Sequence, residues 1–208
     1  MKKFIIIIYL NLLLFSFDNT YANDWDAYNT KQKQQRILFS AQKQYSKKHL
    51  QLSRLSFRND CSGYINLVLW DNGHSLEDFY QAYEYQTNGV SLIYKYIERV
   101  GWIYNHQKPK KGDFIFFSNT YDANRDGKIN DLLTHIGIIE SIDKNDTITF
   151  LHYMHNRVRR GYMNLSKPNT YVENSDIVNT YLRRKSKYTS KTLSAQLFDG
   201  FGRLEPGT

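Results

Sequence analysis

Cysteine is nearly absent from this chain: its 208 residues include one, Cys61. A single cysteine excludes an internal disulfide, so the fold must be held by its core alone. Three roles remain for a lone thiol: a bridge to another chain, a buried inert residue or a nucleophile. Long apolar runs are missing too. The stretch Phe4 to Phe17 is about 14 residues, short of the roughly 20 that span a bilayer, and no later segment reads as transmembrane. Internal repeats and low-complexity tracts are also absent, which excludes solenoids and arrays.

What is present at the start is an export signal. Lys2 and Lys3 form a positive n-region, Phe4 to Phe17 suits the apolar h-region, and Thr20-Tyr21-Ala22 ends in a small residue. The expectation is a signal peptide over residues 1–22 and a mature chain from Asn23, exported to the periplasm or the extracellular space. No cysteine lies near the cleavage point, which argues against a lipid anchor. The remainder, about 186 residues, makes one ordinary domain with a sizeable core. The formal charge is +8 and the pI about 9.4. Such a balance suits attraction to an anionic polymer such as cell wall, lipopolysaccharide or nucleic acid, without choosing among them. The basic residues are scattered, as on a solvated surface.

Periodicity divides the chain. Ile37, Leu38, Ala41 and Tyr45 recur at helical spacing and predict an amphipathic helix over Thr30 to Lys48. Residues 61–71, CSGYINLVLWD, predict a buried helix with Asp60 at the N-cap and Asn72-Gly73 as its stop. Residues 76–100 predict a second helical region, with Leu92, Ile93, Tyr96, Ile97 and Val100 on one face. Strands then follow: 114–117, 134–142, 147–153, 158–164 and 179–183. A polar link, Arg184 to Lys191, precedes an amphipathic ending, LSAQLFDGFGRL, read as a segment docked on the core. Helices first and strands afterwards indicate an α+β domain. Expected boundaries are 23–50 for an N-terminal helical segment, 51–165 for the core, and 166–208 for a C-terminal strand and docking segment.

The lone cysteine lies in DCSG at the start of a predicted helix. There the helix dipole favours the thiolate and lowers its pKa. The Cys61 backbone N–H points out of the helix end, where it can bind a developing oxyanion. Gly63 lets substrate or neighbouring backbone approach closely. A thiolate nucleophile needs a proton-holding partner, usually histidine. Of six histidines, His135 opens the strand THIGIIE, where the small Gly137 on the same face leaves room above a helix end. His152 lies in the next strand on the face of Ile148 and Phe150. If those strands are hairpin neighbours, His152 accepts the His135 ring N–H and fixes its tautomer, the orienting role of a triad. His155 is the rival for that third place.

DCSG opening a helix, then KKGDFIFF, then THIGIIE, then FLHY, resembles the NlpC/P60 group of papain-like cysteine peptidases, with the CHAP amidases as relatives. The likeness covers roughly residues 45–165. It implies a papain-like α+β fold, with the nucleophile at the N-terminus of a buried helix packed on a small antiparallel sheet. It places the nucleophile on Cys61, the general base on His135 and the third triad member on His152. It implies hydrolysis of peptide or amide bonds in bacterial peptidoglycan through a thioester, with stem peptides as partners, no nucleic acid and no catalytic cofactor. Many family members carry a tyrosine about a dozen residues before the cysteine that helps form the oxyanion hole. Here that spacing falls on His49, with Tyr45 a turn earlier.

An insert departs from the family pattern. Residues 122–131, DANRDGKIND, match the start of an EF-hand-type calcium loop. Asp122, Asn124 and Asp126 take positions one, three and five, Gly127 the sharp turn, and the Lys128 carbonyl position seven. Leu133 stands at position twelve, where a bidentate carboxylate belongs, and Asp131 is the available substitute. Either calcium fixes this loop ahead of His135, or Asx hydrogen bonds close it. Two other readings share the fold: a wall- or partner-binding module with an inert cysteine, and a thioester acyltransferase.

Overall fold

The computed structural model describes Trp25 and residues 28–83, 88–185 and 189–204. The expected signal peptide, 1–22, and the expected mature start at Asn23 lie outside the described residues.

Helix α1, Thr30–Lys43, starts with a capping box. Asn29 Oδ1 accepts the Gln32 N–H and Gln32 Oε1 accepts the Asn29 N–H, each at 3.0 Å. The helix stops short of Lys48 because the next residues join the sheet. Ser46 turns left-handed at φ 70, its N–H donates to the Val158 carbonyl at 2.8 Å, and Val158 N–H donates to Lys47 O at 3.0 Å. A two-residue hairpin follows, β1 Gln51–Leu52 with β2 Leu55–Ser56. Helix α2, Cys61–Asp71, is capped as expected: Asp60 Oδ1 accepts from Gly63 N–H at 2.8 Å. Its interior residues Tyr64 to Leu69, Asn66 apart, are fully buried. The expected region 76–100 divides into α3, Glu77–Tyr83, and α4, Gly89–Val100. Asn88 caps α4 by accepting from Ser91 N–H at 2.9 Å.

The body of the domain is a six-stranded antiparallel sheet, so the protein is α+β. Its strands are β3 Gly101–Tyr104, β4 Phe114–Phe117, β5 His135–Ile142, β6 Ile148–Met154, β7 Arg157–Met163 and β10 Phe198–Leu204, in the order β3-β10-β4-β5-β6-β7. A small hairpin, β8 Val172–Glu173 with β9 Asp176–Ile177, lies between the last two in sequence. Alternation gives the sheet two buried faces. Phe114, Phe116, Ile136, Ile138 and Leu151 pack against α2 and α4. Ile115, Phe117, Ile139, Phe150 and Phe201 form a second cluster on the opposite face. Each large apolar side chain so buried contributes about 1.5–3 kcal/mol.

Two elements differ from the periodicity reading. Residues 179–183 form no strand beyond an isolated Tyr181–Leu193 bridge. Asn179 is fully buried, and its side chain ties down loops by donating to Lys167 O and Thr170 O, both at 2.8 Å. The ending 193–204, expected as a segment docked on the core, enters the sheet itself: after a 3₁₀ turn at Ser194–Gln196, β10 inserts between β3 and β4. Gly200 and Gly202 hid it, since glycine reads as turn. Gly202 is small because a Cβ there would come 3.0 Å from both Ile97 and Phe116, so α4 lies directly on this strand.

One buried charge joins these pieces. Asp113, fully buried after β3, accepts from Gln34 Nε2 of α1 at 2.7 Å, Tyr104 Oη of β3 at 2.5 Å and the Lys110 backbone N–H at 2.6 Å. It also takes the bidentate fork of Arg203 from β10, Nε and NH2 both at 2.7 Å. Burial of the pair is tolerable only because every oxygen is hydrogen-bonded. Replacing Asp113 with alanine strands the Arg203 charge and is expected to lower unfolding free energy by about 3–5 kcal/mol in urea titration. A loss below about 1 kcal/mol would contradict this role.

Candidate active site

An open cleft of about 600 Å³ runs along the N-terminal ends of α2 and α4 and is lined by Cys61, Asp60, Ser62, Asn88, Tyr121 and His135, among others. Gly63 is required by backbone, not by substrate: a Cβ there would lie 1.9 Å from the Arg58 carbonyl oxygen. The chain before the cysteine folds back over the helix and forms one cleft wall. Gly89 does the same for α4, since a Cβ would come 2.6 Å from Ser62 Oγ.

Cys61 is half-buried and approaches from the helix side of the sheet, where it packs on the first core cluster. His135 and His152 lie on the opposite face, beside Phe117 and Phe150. The room expected next to Gly137 is filled: a Cβ there would meet Phe150 and the Leu151 carbonyl, each at 2.9 Å. Cys61 and His135 therefore both border the cleft at the end of the sheet, where β5 begins. The Cys61 sulfur faces the Ile136 backbone N–H there, next to His135, as well as its own and the Ser62 N–H.

His135 Nε2 and His152 Nδ1 are 2.8 Å apart, with the rings edge-on. This is a diagonal pair across β5 and β6 on one sheet face. With His135 Nε2–H donating, its Nδ1 keeps a lone pair for the cleft. His152 Nε2 then carries the other proton and has no hydrogen-bond partner among the described residues. The ring lies over Gly161 of β7, where a Cβ would come 3.1 Å from that nitrogen. His155 sits instead at the β6–β7 turn with Asn156, both left-handed (φ 51 and 61), and faces the cleft rather than His135. Neither Tyr45 nor His49 lines the cleft. Tyr45 is exposed, with the Arg160 guanidinium 4.5 Å over its ring.

The charge state differs from the dipole argument. Burial, and then the adjacent Asp60 carboxylate, push the Cys61 thiol up to about 12 against the pull of three backbone N–H groups. The positive helix end is already engaged: Asp60 takes the Gly63 N–H and the Ser62 hydroxyl, and its second oxygen pairs with Arg58 at 2.8 Å. Burial lowers His135 to about 4. His152 falls well below the usual imidazole value through burial and then the nearby His135, Arg159 and His155. At neutral pH the resting site is a thiol facing neutral imidazoles, not a thiolate–imidazolium pair.

The insert delivers His135. Its base is clasped by Asn119 N–H to Asp131 O at 2.7 Å, Asp131 N–H to Asn119 Oδ1 at 2.8 Å, and Thr120 to Thr134 Oγ1 at 2.8 Å. Leu133 is left-handed (φ 53), a strained state for a bulky residue; its N–H is held by Ser118 Oγ at 2.9 Å. In the 122–131 loop, Asp122 caps the Asp126 and Gly127 N–H groups, Asn124 caps Asp126, and Asp126 caps Lys128. Asp131 Oδ1 caps Ala123 and Asn124, and its buried Oδ2 has no partner among the described residues. Among the described residues no group of three or more His, Cys, Asp or Glu side chains is placed to hold a metal. Tyr121, more than half exposed beside Cys61, escaped the sequence reading; its place directly before the acidic loop was the available signal.

The buried histidines make stability depend on pH. Each binds a proton more readily unfolded, where its value is near 6.5. Between pH 6.5 and about 4 the unfolded chain therefore holds more protons, and stability falls as pH drops through that window. His135 alone accounts for about 3 kcal/mol. Urea unfolding at pH 7.5 and 4.5 should show the loss, and His152→Gln should reduce it. An unchanged pH dependence in that variant would remove His152 from the buried pair.

Comparison with protein-family models, with curated proteins and with solved structures finds no match to this chain.

Proposed function

We propose that the protein is an exported cysteine hydrolase of papain-like, NlpC/P60-type architecture, cleaving peptide or amide bonds in peptidoglycan stem peptides in the periplasm or outside the cell. One observation carries the reading: a cysteine at a helix N-terminus shares a cleft with a histidine whose other ring nitrogen is 2.8 Å from a second, fully buried histidine. That is the nucleophile–base–orienter arrangement of covalent catalysis.

The neutral resting state sets the order of events. His135 Nδ1 takes the thiol proton as the sulfur attacks the carbonyl carbon, so thiolate forms only as it is consumed. Negative charge gathers on the carbonyl oxygen, where the backbone N–H groups of Cys61 and Ser62 stabilise it. The C–N bond breaks, the amine leaves with the proton returned from His135, and a thioester remains. Water gives a proton to His135 and attacks the thioester; the acid product departs and the thiol recovers its proton. His152 accepts the His135 Nε2–H throughout and stabilises the imidazolium.

The raised thiol pKa, about 12, supports a second reading, a wall- or partner-binding module with an inert cysteine. Incubation of the protein and of Cys61→Ala with purified peptidoglycan, with fragments weighed by mass spectrometry, separates the two. Fragments from the unaltered protein alone are expected; acceptor-linked products would indicate acyl transfer, and fragments from both would exclude Cys61. His152→Ala should lower kcat by about 100-fold or more, and activity should persist to about pH 5 because His135 stays neutral down to about 4.

A structural calcium ion in the 122–131 loop is a further part of the proposal. Its support is the alternate spacing of oxygen-bearing side chains, Asp122, Asn124 and Asp126, whose oxygens here close the loop on its own N–H groups, with Asp131 Oδ2, which has no partner among the described residues, nearby. Calcium is expected to raise the melting temperature, and Asp122→Ala to abolish the rise. An identical melt in chelator and in millimolar calcium removes the ion from the account.

A further inference from the structure

The catalytic cleft does not end at the nucleophile. Thr120, Tyr121, Met154, His155 and Leu182 line it and also line a second groove of about 740 Å³, so the two form one continuous trough. The far arm has a different character. Arg183, Arg184 and Lys185 form its wall with Tyr181, and among the described residues no aspartate or glutamate lines it. Among the described residues no ion pair uses these three cations. They lie between the bridged residues Tyr181 and Leu193, where the sequence offered the end of an expected strand, Arg183, and the start of a polar link, Arg184 and Lys185.

Arg183 is anchored. Its NH1 donates to the Asn119 carbonyl at 2.6 Å, at the base of the insert, and the residue is half-buried. One contact leaves further N–H donors of a planar guanidinium free to meet a carboxylate, at little further entropy cost because the side chain is already held. Arg184 and Lys185 are exposed and add positive potential along the approach. Tyr121 and Tyr181, about half exposed, give flat apolar walls on which a peptide can lie.

We infer that this arm is a binding subsite for a carboxylate-bearing portion of the peptide substrate, lying beyond the scissile bond on the Arg183 side of Cys61. The inference rests on the hydrolase reading for its choice of a peptide ligand. Arg183 is the specificity-determining contact and Arg184 with Lys185 steer. An acidic residue or free C-terminal carboxylate enters the trough past His155 and is held away from Asp60, the one carboxylate in the catalytic half. Charge thus orients the substrate along the trough before chemistry begins.

The test uses binding, so that it stands apart from turnover. Full-length Cys61→Ala is titrated by calorimetry with two synthetic peptides, Ala-Ala-Glu-Glu as the free acid and Ala-Ala-Gln-Gln as the amide. The acidic peptide is expected to bind at least tenfold tighter at low salt, with the preference shrinking as salt rises. Arg184→Gln/Lys185→Gln should cut the preference severalfold, and Arg183→Lys should reduce it while keeping the charge; unfolding curves check that each variant is folded. Equal affinities, an unchanged preference in both variants, or no binding of either peptide at millimolar concentration would overturn the subsite. If the charge preference holds but peptidoglycan is not cleaved, the subsite stands and the hydrolase reading falls. If cleavage occurs without charge preference, the hydrolase stands and the subsite falls.

Discussion

Asp113 takes a negative charge into the interior, and the geometry around it decides whether that is tolerable. Four separate stretches answer it: Gln34 from α1, Tyr104 from β3, the Lys110 amide and Arg203 from β10. The carboxylate raises the Arg203 pKa and keeps the guanidinium charged. Gly112 belongs to the same joint: it is left-handed (φ 86), and a Cβ would lie 2.3 Å from the Gln34 carbonyl oxygen. The Gly-Asp pair of KKGDFIFF thus fixes where β4 starts, which helix lies above it and which strand lies beside it. Strand β4 in turn sets the register of β5 through Phe117 opposite His135. The position of His135 descends from that buried ion pair by two steps of strand pairing.

The site is likewise a compromise between burial and charge. Burying two histidines against Phe117 and Phe150 holds them rigid and keeps them neutral. Burying the thiol beside Asp60 keeps it protonated. Burial thus leaves a thiol and two neutral imidazoles in place of a pre-formed thiolate–imidazolium pair.

Much of this was legible in the sequence because certain residues have few other uses. Asp60 before an apolar helix is an N-cap, and it caps α2. Runs of β-forming residues in FIFF, HIGIIE and FLHY marked three neighbouring strands, and His152 shares the face of Ile148 and Phe150 in the core. What stayed hidden was non-local. Gly200 and Gly202 look like turn residues until α4 is known to lie on them. The direction of the Cys61 shift needs the burial around the sulfur, which no local motif encodes. Tyr121 and Arg183 to Lys185 come from stretches without periodicity, and only the fold brings Tyr121 to the Cys61 cleft and the three cations to the groove that adjoins it.

The place of β10 bears on how the chain acquires its shape. Strand β3 pairs only with β10, so Tyr104 waits for Phe201. Until residues 198–204 have emerged, β4 shows a bare edge of unsatisfied backbone groups and the Asp113 carboxylate lacks its counter-ion. Closing this side of the sheet therefore joins segments about a hundred residues apart, a slow kind of contact to form.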